Sequence, residues 1–370
     1  MARHASYWEG ALAPAPPASE LAARTDVLIV GAGLMGCWLA LFLQRLRPAP
    51  SILVVERDLV GYGASTRNAG FLTCGNISEM LEDSRLLGLD DVIEVFERRR
   101  RGIEIVRADL PGLALDECGS ADFDPVTDEK CDFAARVNKA AGGAVFEEGR
   151  AMLGGREQAV IRNGSDAGLH PGELLAALRA RCTGATFAHG VEIRALGEGR
   201  VHWAAGGQEG ETSYGQAFVC TNGFAVELDA ASKVLPGRGQ IIVTSPVRAR
   251  TERVLGYMRA GYDYFRFADG RLLIGGGRDC FRDAEATTRM EASAEVLKHL
   301  KAAAARVLGH NEFRVEWHWA GVMGFVGGAH LGGSPLRRMD ESTEAVAGFG
   351  GMGVALTPLT AREIVSRMTA

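Results

Sequence analysis

"TDVLIVGAGLMG" occupies Thr25–Gly36. Its first half is a β-branched apolar run of the kind that forms a strand buried on both faces. Gly31, Gly33 and Gly36 follow at once, and "CWLALFLQRL" continues as a helix that ends before Pro48. "SILVVERD" then reads as a second buried strand with Glu56 at its end. Strand, GxGxxG, helix, strand and terminal acid are the parts of a dinucleotide-binding unit. Gly31 is expected to make the tight turn, Gly33 to admit a pyrophosphate and Gly36 to let helix and strand pack closely. The free N–H groups at the helix start, around Ala32, Leu34 and Met35, would face the phosphates. Glu56 stands twenty residues past Gly36 and suits the two hydroxyls of an unphosphorylated ribose, which favours FAD or NAD over NADP.

"GASTRNAGF" (Gly63–Phe71) decides between those two. It has the period of neither a helix nor a strand and lies directly after the second strand. NAD has no use for such a stretch there. FAD does, because its ring lies far from the adenine and must be held along its length. Small residues let backbone approach a ring; Ser65 and Thr66 offer hydroxyls to a pyrophosphate, and Asn68 offers an amide near a ribityl chain or ring edge. The alternative is a solvated loop that opens the helix of "GNISEMLED".

Composition sets the bounds. The chain has 370 residues, 47% of them hydrophobic, enough for a sizeable core and for two domains or one large one. A net charge of −5 gives no reason to expect nucleic acid or an anionic membrane. The seven cysteines form no CxxC pair, which suits a reducing, cytoplasmic setting. No run approaches 18 apolar residues, so no membrane span is expected, and the Pro/Ala-rich start reads as an extended lead-in rather than a signal peptide. The eight histidines show no ligand spacing, and no metal is expected. "ERRRRG" (97–102) has acids close by and reads as a solvated, salt-bridged helix face.

Together, "GAGLMG", "VVERD" and "GASTRNAGF" resemble the FAD-dependent D-amino-acid-oxidase-like family, which includes glycine oxidase, sarcosine oxidase and gamma-glutamylputrescine oxidase. Further segments match in order: "SYW" (Ser6–Trp8), "DAGLHPGELLAALRAR" (166–181), "QAFVCTNGF" (216–224), "VLPGRGQIIVTSP", "YFRFADGRLLIGGG", "WAGVMG" and "GFGGMGVALTPLTAREI". The resemblance covers nearly the whole chain, most weakly from 80 to 150. It implies an α/β fold: a discontinuous Rossmann-like FAD-binding domain at 1–85, 155–228 and 323–370, with an inserted antiparallel-sheet substrate domain at 86–154 and 229–322. It also implies non-covalent FAD held by Gly31–Gly36, Glu56, Arg57, Ala64, Ser65, Thr66, Asn68, Ala69, Gly70, Phe71, Val191, Thr221, Asn222, Gly223, Gly321, Gly350, Gly351, Met352, Gly353 and Val354. Arg67 stands where a covalently linking His would fall. Asp269-Gly270 marks a hairpin turn between strands at 262–267 and 272–274, and 283–308 reads as one long amphipathic helix with Met290, Val296, Leu297 and Leu300 inward.

The implied chemistry is oxidation of a C–N bond to an imine, with hydride equivalents passing to flavin N5 and oxygen as acceptor giving H2O2. Tyr264, Arg266, Trp319 and Met323 are the candidate catalytic residues; Tyr264 and Trp319 are pocket walls, with structural packing as the competing account, and Arg266 either binds an anionic part of the substrate or pairs with an acid. The monooxygenase alternative lacks its late Gly-Asp motif, a dipeptide absent here. An NAD-linked dehydrogenase and a non-enzymatic flavoprotein are further alternatives. Three departures from the family stand out. Met323 replaces the arginine that holds the substrate carboxylate, "GFVGGAHLGGSP" replaces the usual Asp and Pro turn, and "GRLLIGGG" lacks the oxygen-activating lysine of sarcosine oxidases. The first predicts a primary or secondary amine as substrate rather than a small free amino acid, because an uncompensated carboxylate in an apolar pocket is costly. The third leaves a dehydrogenase in play.

Overall fold

A computed structural model describes residues 3–229, 232–326 and 336–369. The expected nucleotide-binding unit forms as read. Arg24–Val30 pairs in parallel with Ile52–Glu56 on one side and with Gln208–Val219 on the other. Val27–Val30 are all buried, as a doubly covered parallel strand requires. Among the described residues this sheet runs Val191–Gly197, Arg200–Ala205, Gln208–Val219, Arg24–Val30, Ile52–Glu56, Ala185–His189. Thr343–Val346 pairs in parallel with the far end of Gln208–Val219 and returns the C-terminus to the sheet. The helix Leu34–Leu43 is buried along its whole length. The C-terminal helix Gly353–Met368 packs beside it.

The second large sheet is antiparallel over most of its width. Its order is Val315–Val326, Val234–Pro246, Arg271–Gly276, Asp263–Ala268, Leu255–Met258, Ser120–Asp122, Arg156–Asn163, Glu147–Leu153. The hairpin turns at Asp269 and Gly270, both at positive φ. Side chains alternate between the faces. Ile242, Phe265, Leu272 and Ile274 pack under the helix Ala294–Leu308, while Ile241, Leu273 and Trp319 face the other way with Trp8. The fold is thus mixed α/β, with a largely parallel, helix-covered sheet joined to a largely antiparallel one.

Three expectations change in detail. The helix starts at Ala294, where Ser293 caps it by accepting from Val296 N, so Met290 lies outside it; Val296 and Leu300 are inward as expected. In the helix Leu89–Asp109 the basic run is not all solvated: Arg99 is 1% exposed and stands 3.6 Å from Glu79, while Arg98 pairs outward with Glu363. The hairpin Glu147–Leu153/Arg156–Asn163 straddles the boundary expected at 154/155, and Val315–Val326 straddles that at 322/323. The five-segment division remains a proposal. The Gly327–Pro335 departure lies outside the described residues.

Candidate functional site

The N-terminal lead-in is tied onto the loop Gly63–Phe71. Ser6 Oγ donates to the Thr66 carbonyl at 2.7 Å, and Trp8 Nε1 donates to the Asn68 carbonyl at 2.8 Å. Trp8 is buried in the process. The loop also organises itself. Asn68 spends its amide on the carbonyls of Ala64 and Ser65 and on Gly70 N, and the Thr66 hydroxyl donates to the Gly61 carbonyl at 2.7 Å. These two side chains therefore shape the loop instead of offering their polar atoms outward. Ser65 differs: its Oγ accepts from Leu34 N at 2.9 Å, at the start of a helix that has no cap of its own, and keeps its proton to donate.

This loop forms one wall of a large cavity between the two sheets, which leaves about 450 Å³ for the centres of water-sized molecules. Of the expected cofactor residues, Gly31, Ala32, Gly33, Leu34, Met35, Glu56, Arg57, Ala64, Ser65, Thr66, Asn68, Ala69, Phe71, Val191, Thr221, Asn222, Gly321, Gly350, Gly351, Met352, Gly353 and Val354 line it. Gly36, Gly70 and Gly223 do not. They are packing glycines. A Cβ on Gly36 would overlap the Gly31 carbonyl oxygen, one on Gly70 the Leu169 carbonyl oxygen, and one on Gly223 would come within 2.6 Å of the Met323 carbonyl oxygen.

Several observations fit an adenine dinucleotide here. Gly31 has φ +106 and its Cβ would meet the Cys220 carbonyl at 2.9 Å, so the turn admits only glycine. The Glu56 carboxylate lies at the cavity wall and buttresses the turn, accepting from Ala32 N at 2.8 Å. Thr221 Oγ1 lines the same space, buried and without a partner among the described residues. Such a hydroxyl costs stability unless something else bonds it. Arg179, which the sequence reading missed, lines the wall and donates to the carbonyls of Ala32 and Val60.

The opposite end is built by the antiparallel sheet. Tyr257, Tyr262, Tyr264, Met323 and Phe325 line it, with Thr73 and Glu79 from the segment after Phe71. Burial pushes the Tyr264 phenol up to about 12. Burial also raises the Glu79 carboxyl, and the neighbouring Arg99 guanidinium opposes this. Two expected catalytic residues lie elsewhere. Trp319 is 1% exposed, packed against Trp8, and its Nε1 donates to the Arg67 carbonyl at 3.0 Å. Arg266 Nη1 donates to the carbonyls of Gly70 and Leu169, both at 2.7 Å, behind the loop. Trp319 and Arg266 hold the wall and do not face the cavity. Tyr264 and Met323 do. Arg67 also lines the cavity, pairs with Glu9 at 2.7 Å and donates to the Ala320 carbonyl. Arg179 has a regional signal only, since its segment (166–181) resembles the family's while nothing local marks the side chain; Glu79 and Tyr257 lie outside the matching segments and carry no such signal.

A family model described as DAO, FAD dependent oxidoreductase, matches residues 26–367. No curated protein matches the chain. Among solved structures, L-proline dehydrogenase from P. horikoshii is similar at TM-score 0.73 and 15% identity, with 94% of each chain covered. Glycine oxidase from Geobacillus kaustophilus is similar at TM-score 0.70 and 19% identity over 93% of this chain and 94% of that one. Iminodiacetate oxidase from Chelativorans sp. BNC1 is similar at TM-score 0.70 and 18% identity over 93% of this chain and 95% of that one.

Proposed function

This chain belongs to the FAD-dependent oxidoreductase family DAO, and on that premise we propose that it oxidises a C–N bond of an amine or amino-acid-like substrate to an imine. The single observation that carries the proposal is one continuous cavity: the glycine turn and Glu56 lie at one end and an aromatic, largely apolar wall at the other. When bound, FAD supplies the two-electron acceptor for the oxidation. The Gly31–Met35 turn, Ser65, Glu56 and Thr221 would hold its polar length, and the start of the helix Gly353–Met368 would face it with open N–H groups.

The chain's own part in the chemistry is positioning and desolvation. The substrate carbon loses hydrogen with its electron pair, its nitrogen loses a proton, and the resulting imine takes up water to give a carbonyl compound and an amine. An alkylammonium has a pKa of about 10, like that of lysine. Enclosure among Tyr262, Tyr264, Met323 and Phe325 would favour its neutral form. Glu79 stands at the same wall as an acceptor for the nitrogen's proton. We take oxygen as the electron acceptor. The absence of lysine from the described residues that line the cavity favours a second reading, a dehydrogenase with another acceptor. The free state of all seven cysteines supports a cytoplasmic setting, and no described helix is long and apolar enough to cross a membrane.

The purified protein is expected to be yellow and to release FAD on denaturation. Anaerobic mixing with a panel of amines, N-methyl amino acids and free amino acids should bleach the flavin with at least one class. Readmitted air should restore the colour and yield H2O2; recovery only with an artificial dye would select the dehydrogenase. A flavin that no amine reduces would sink the proposal.

A further inference from the structure

Oxidation of a C–N bond frees a proton from the substrate nitrogen, and that proton must leave a largely apolar space. Two hydroxyl-bearing residues of the cavity wall, Tyr257 and Thr73, open a route. The Tyr257 hydroxyl donates to Thr73 Oγ1 at 2.9 Å, and Thr73 Oγ1 donates to Asp166 Oδ2 at 2.8 Å. Ser120 Oγ donates to the same oxygen at 2.7 Å. Backbone holds the middle of this chain: Asp166 Oδ1 accepts from Cys74 N at 3.2 Å, and Thr73 Oγ1 accepts from Gly75 N at 3.1 Å. Ser120 does not line the cavity. It lines a second, smaller opening, with about 220 Å³ for the centres of water-sized molecules, beside Glu117, Glu147, Arg162 and Asn163. The side chains of Glu117 and Arg162 are exposed there at 53% and 32%, so this opening meets solvent.

A brace between the sheets does not require a carboxylate at its centre. Asp166 is fully buried, and its partners are neutral: two hydroxyls, the Cys74 amide and the Cys74 thiol at 3.8 Å. The charged groups nearby serve others. Arg99 donates to the Cys74 carbonyl and stands by Glu79, and Arg107 pairs with Glu117. A buried carboxylate without a cation is costly. Burial pushes Asp166 up to about 6, so it exchanges a proton near neutral pH. The titratable groups that face it, the Cys74 thiol and the Tyr257 phenol, are both pushed well up by burial and stay neutral in that range.

We propose that Tyr257, Thr73, Asp166 and Ser120 form a proton relay from the cavity to the second opening. It rests on the reading of the cavity as an amine-oxidising site, whose substrate nitrogen supplies the proton. One proton travels for each C–N bond oxidised. The nitrogen's proton, taken directly or by way of Glu79, goes to the Tyr257 oxygen. Tyr257 passes its own proton to Thr73, and Thr73 passes its own to Asp166. Both hydroxyls end neutral and Asp166 ends as the acid. Asp166 then protonates Ser120 Oγ, and Ser120 releases its own proton to water in the second opening, which restores the carboxylate. The hydroxyls turn back to their first orientation. No electrons move along this path, because the pair leaves with the hydrogen on carbon.

The test follows electrons and protons separately. The holoprotein is mixed anaerobically with the amine panel in unbuffered solution; flavin bleaching reports the electrons and phenol red reports protons reaching the medium. In the wild type the two signals should coincide. In buffered solution the bleaching rate should rise as pH climbs through about 6, because only ionised Asp166 accepts a proton. Asp166→Asn should lose that rise and bleach on the order of a hundredfold more slowly. Imidazole in the medium should restore much of the rate, since a diffusible base can carry a proton but cannot mend a distorted wall. Ser120→Ala leaves the cavity wall and the carboxylate in place. It should bleach normally in the first turnover, with the phenol red signal delayed behind the flavin signal. That variant keeps the question open to measurement if Asp166→Asn does not fold. Coincident signals in Ser120→Ala would overturn the relay, as would a slow Asp166→Asn that imidazole does not restore. A flavin that no amine reduces removes the oxidation reading and the relay with it. Bleaching that is indifferent to Asp166 and Ser120 removes the relay alone, so the two failures are distinguishable.

Discussion

Glu56 illustrates how a single side chain serves fold and site together. Its Oε2 accepts from Ala32 N at 2.8 Å and its Oε1 from Asp58 N at 3.1 Å, so the carboxylate already braces the turn on which a pyrophosphate would sit. Lone pairs remain on both oxygens for a ribose. Glu56→Gln keeps the shape but removes the charge and one acceptor. FAD affinity is expected to fall roughly ten- to hundredfold, the worth of a charge-assisted hydrogen bond of about 1.5–3 kcal/mol. Quenching of flavin fluorescence on titration into apoprotein measures it, and an unchanged dissociation constant would place the ribose elsewhere.

At the scale of elements, the helix start that faces the cavity is set by a close crossing. The helix Leu89–Asp109 lies against Gly353–Met368, and Gly102 is the point of contact. A Cβ there would overlap the Ala355 carbonyl oxygen, a backbone atom that cannot swing aside. Alanine is the better helix former by up to about 1 kcal/mol, but the overlap should win. Gly102→Ala is expected to cost on the order of 1–3 kcal/mol net and to displace the first turn at Gly353 and Val354. Thermal melts with and without FAD check both effects. A variant as stable as the wild type, with equal stabilisation by FAD, would show that the crossing has slack.

Across the whole molecule, Asp166 joins the parts. Its carboxylate accepts from Thr73 Oγ1 at 2.8 Å and from Ser120 Oγ at 2.7 Å, linking the segment after the flavin loop to the antiparallel sheet. Tyr257 on the cavity wall donates to Thr73 in the same chain of bonds. Burial pushes Asp166 up to about 6. The folded chain then holds this proton more tightly than the unfolded chain, so stability falls as pH rises from about 4 to about 6. At 1.36 kcal/mol per unit the fall is on the order of 3 kcal/mol. Asp166→Asn cannot titrate and should lose that slope. Urea unfolding across the window tests it; identical pH profiles for variant and wild type would assign the titration to another group.

The order of local signals sufficed for the nucleotide-binding unit. The turn at Gly31, the helix after it and the Asp269-Gly270 hairpin depend on residues close in the chain, where glycine's freedom at positive φ and the strand period act directly. The substrate end was not legible in this way. Tyr264 and Arg266 share one face of a strand, as do Trp319, Gly321 and Met323, so periodicity cannot say which of them meets the cavity. That is decided by what covers the far end of the face: Tyr7 and Trp8, joined there by the buried Trp319 and by Arg266 bonded to Gly70 and Leu169. Arg278 lies beyond two glycines, in no repeating pattern, and its lack of an acid partner among the described residues follows from Arg259 and His299 taking the acids Asp263 and Asp279 across the fold. The sequence by itself determined the cofactor turn, because its causes are local. Only the tertiary structure decided which side chains face the cavity and which charge is left unpaired, because burial and partnership are properties of segments brought together from a distance.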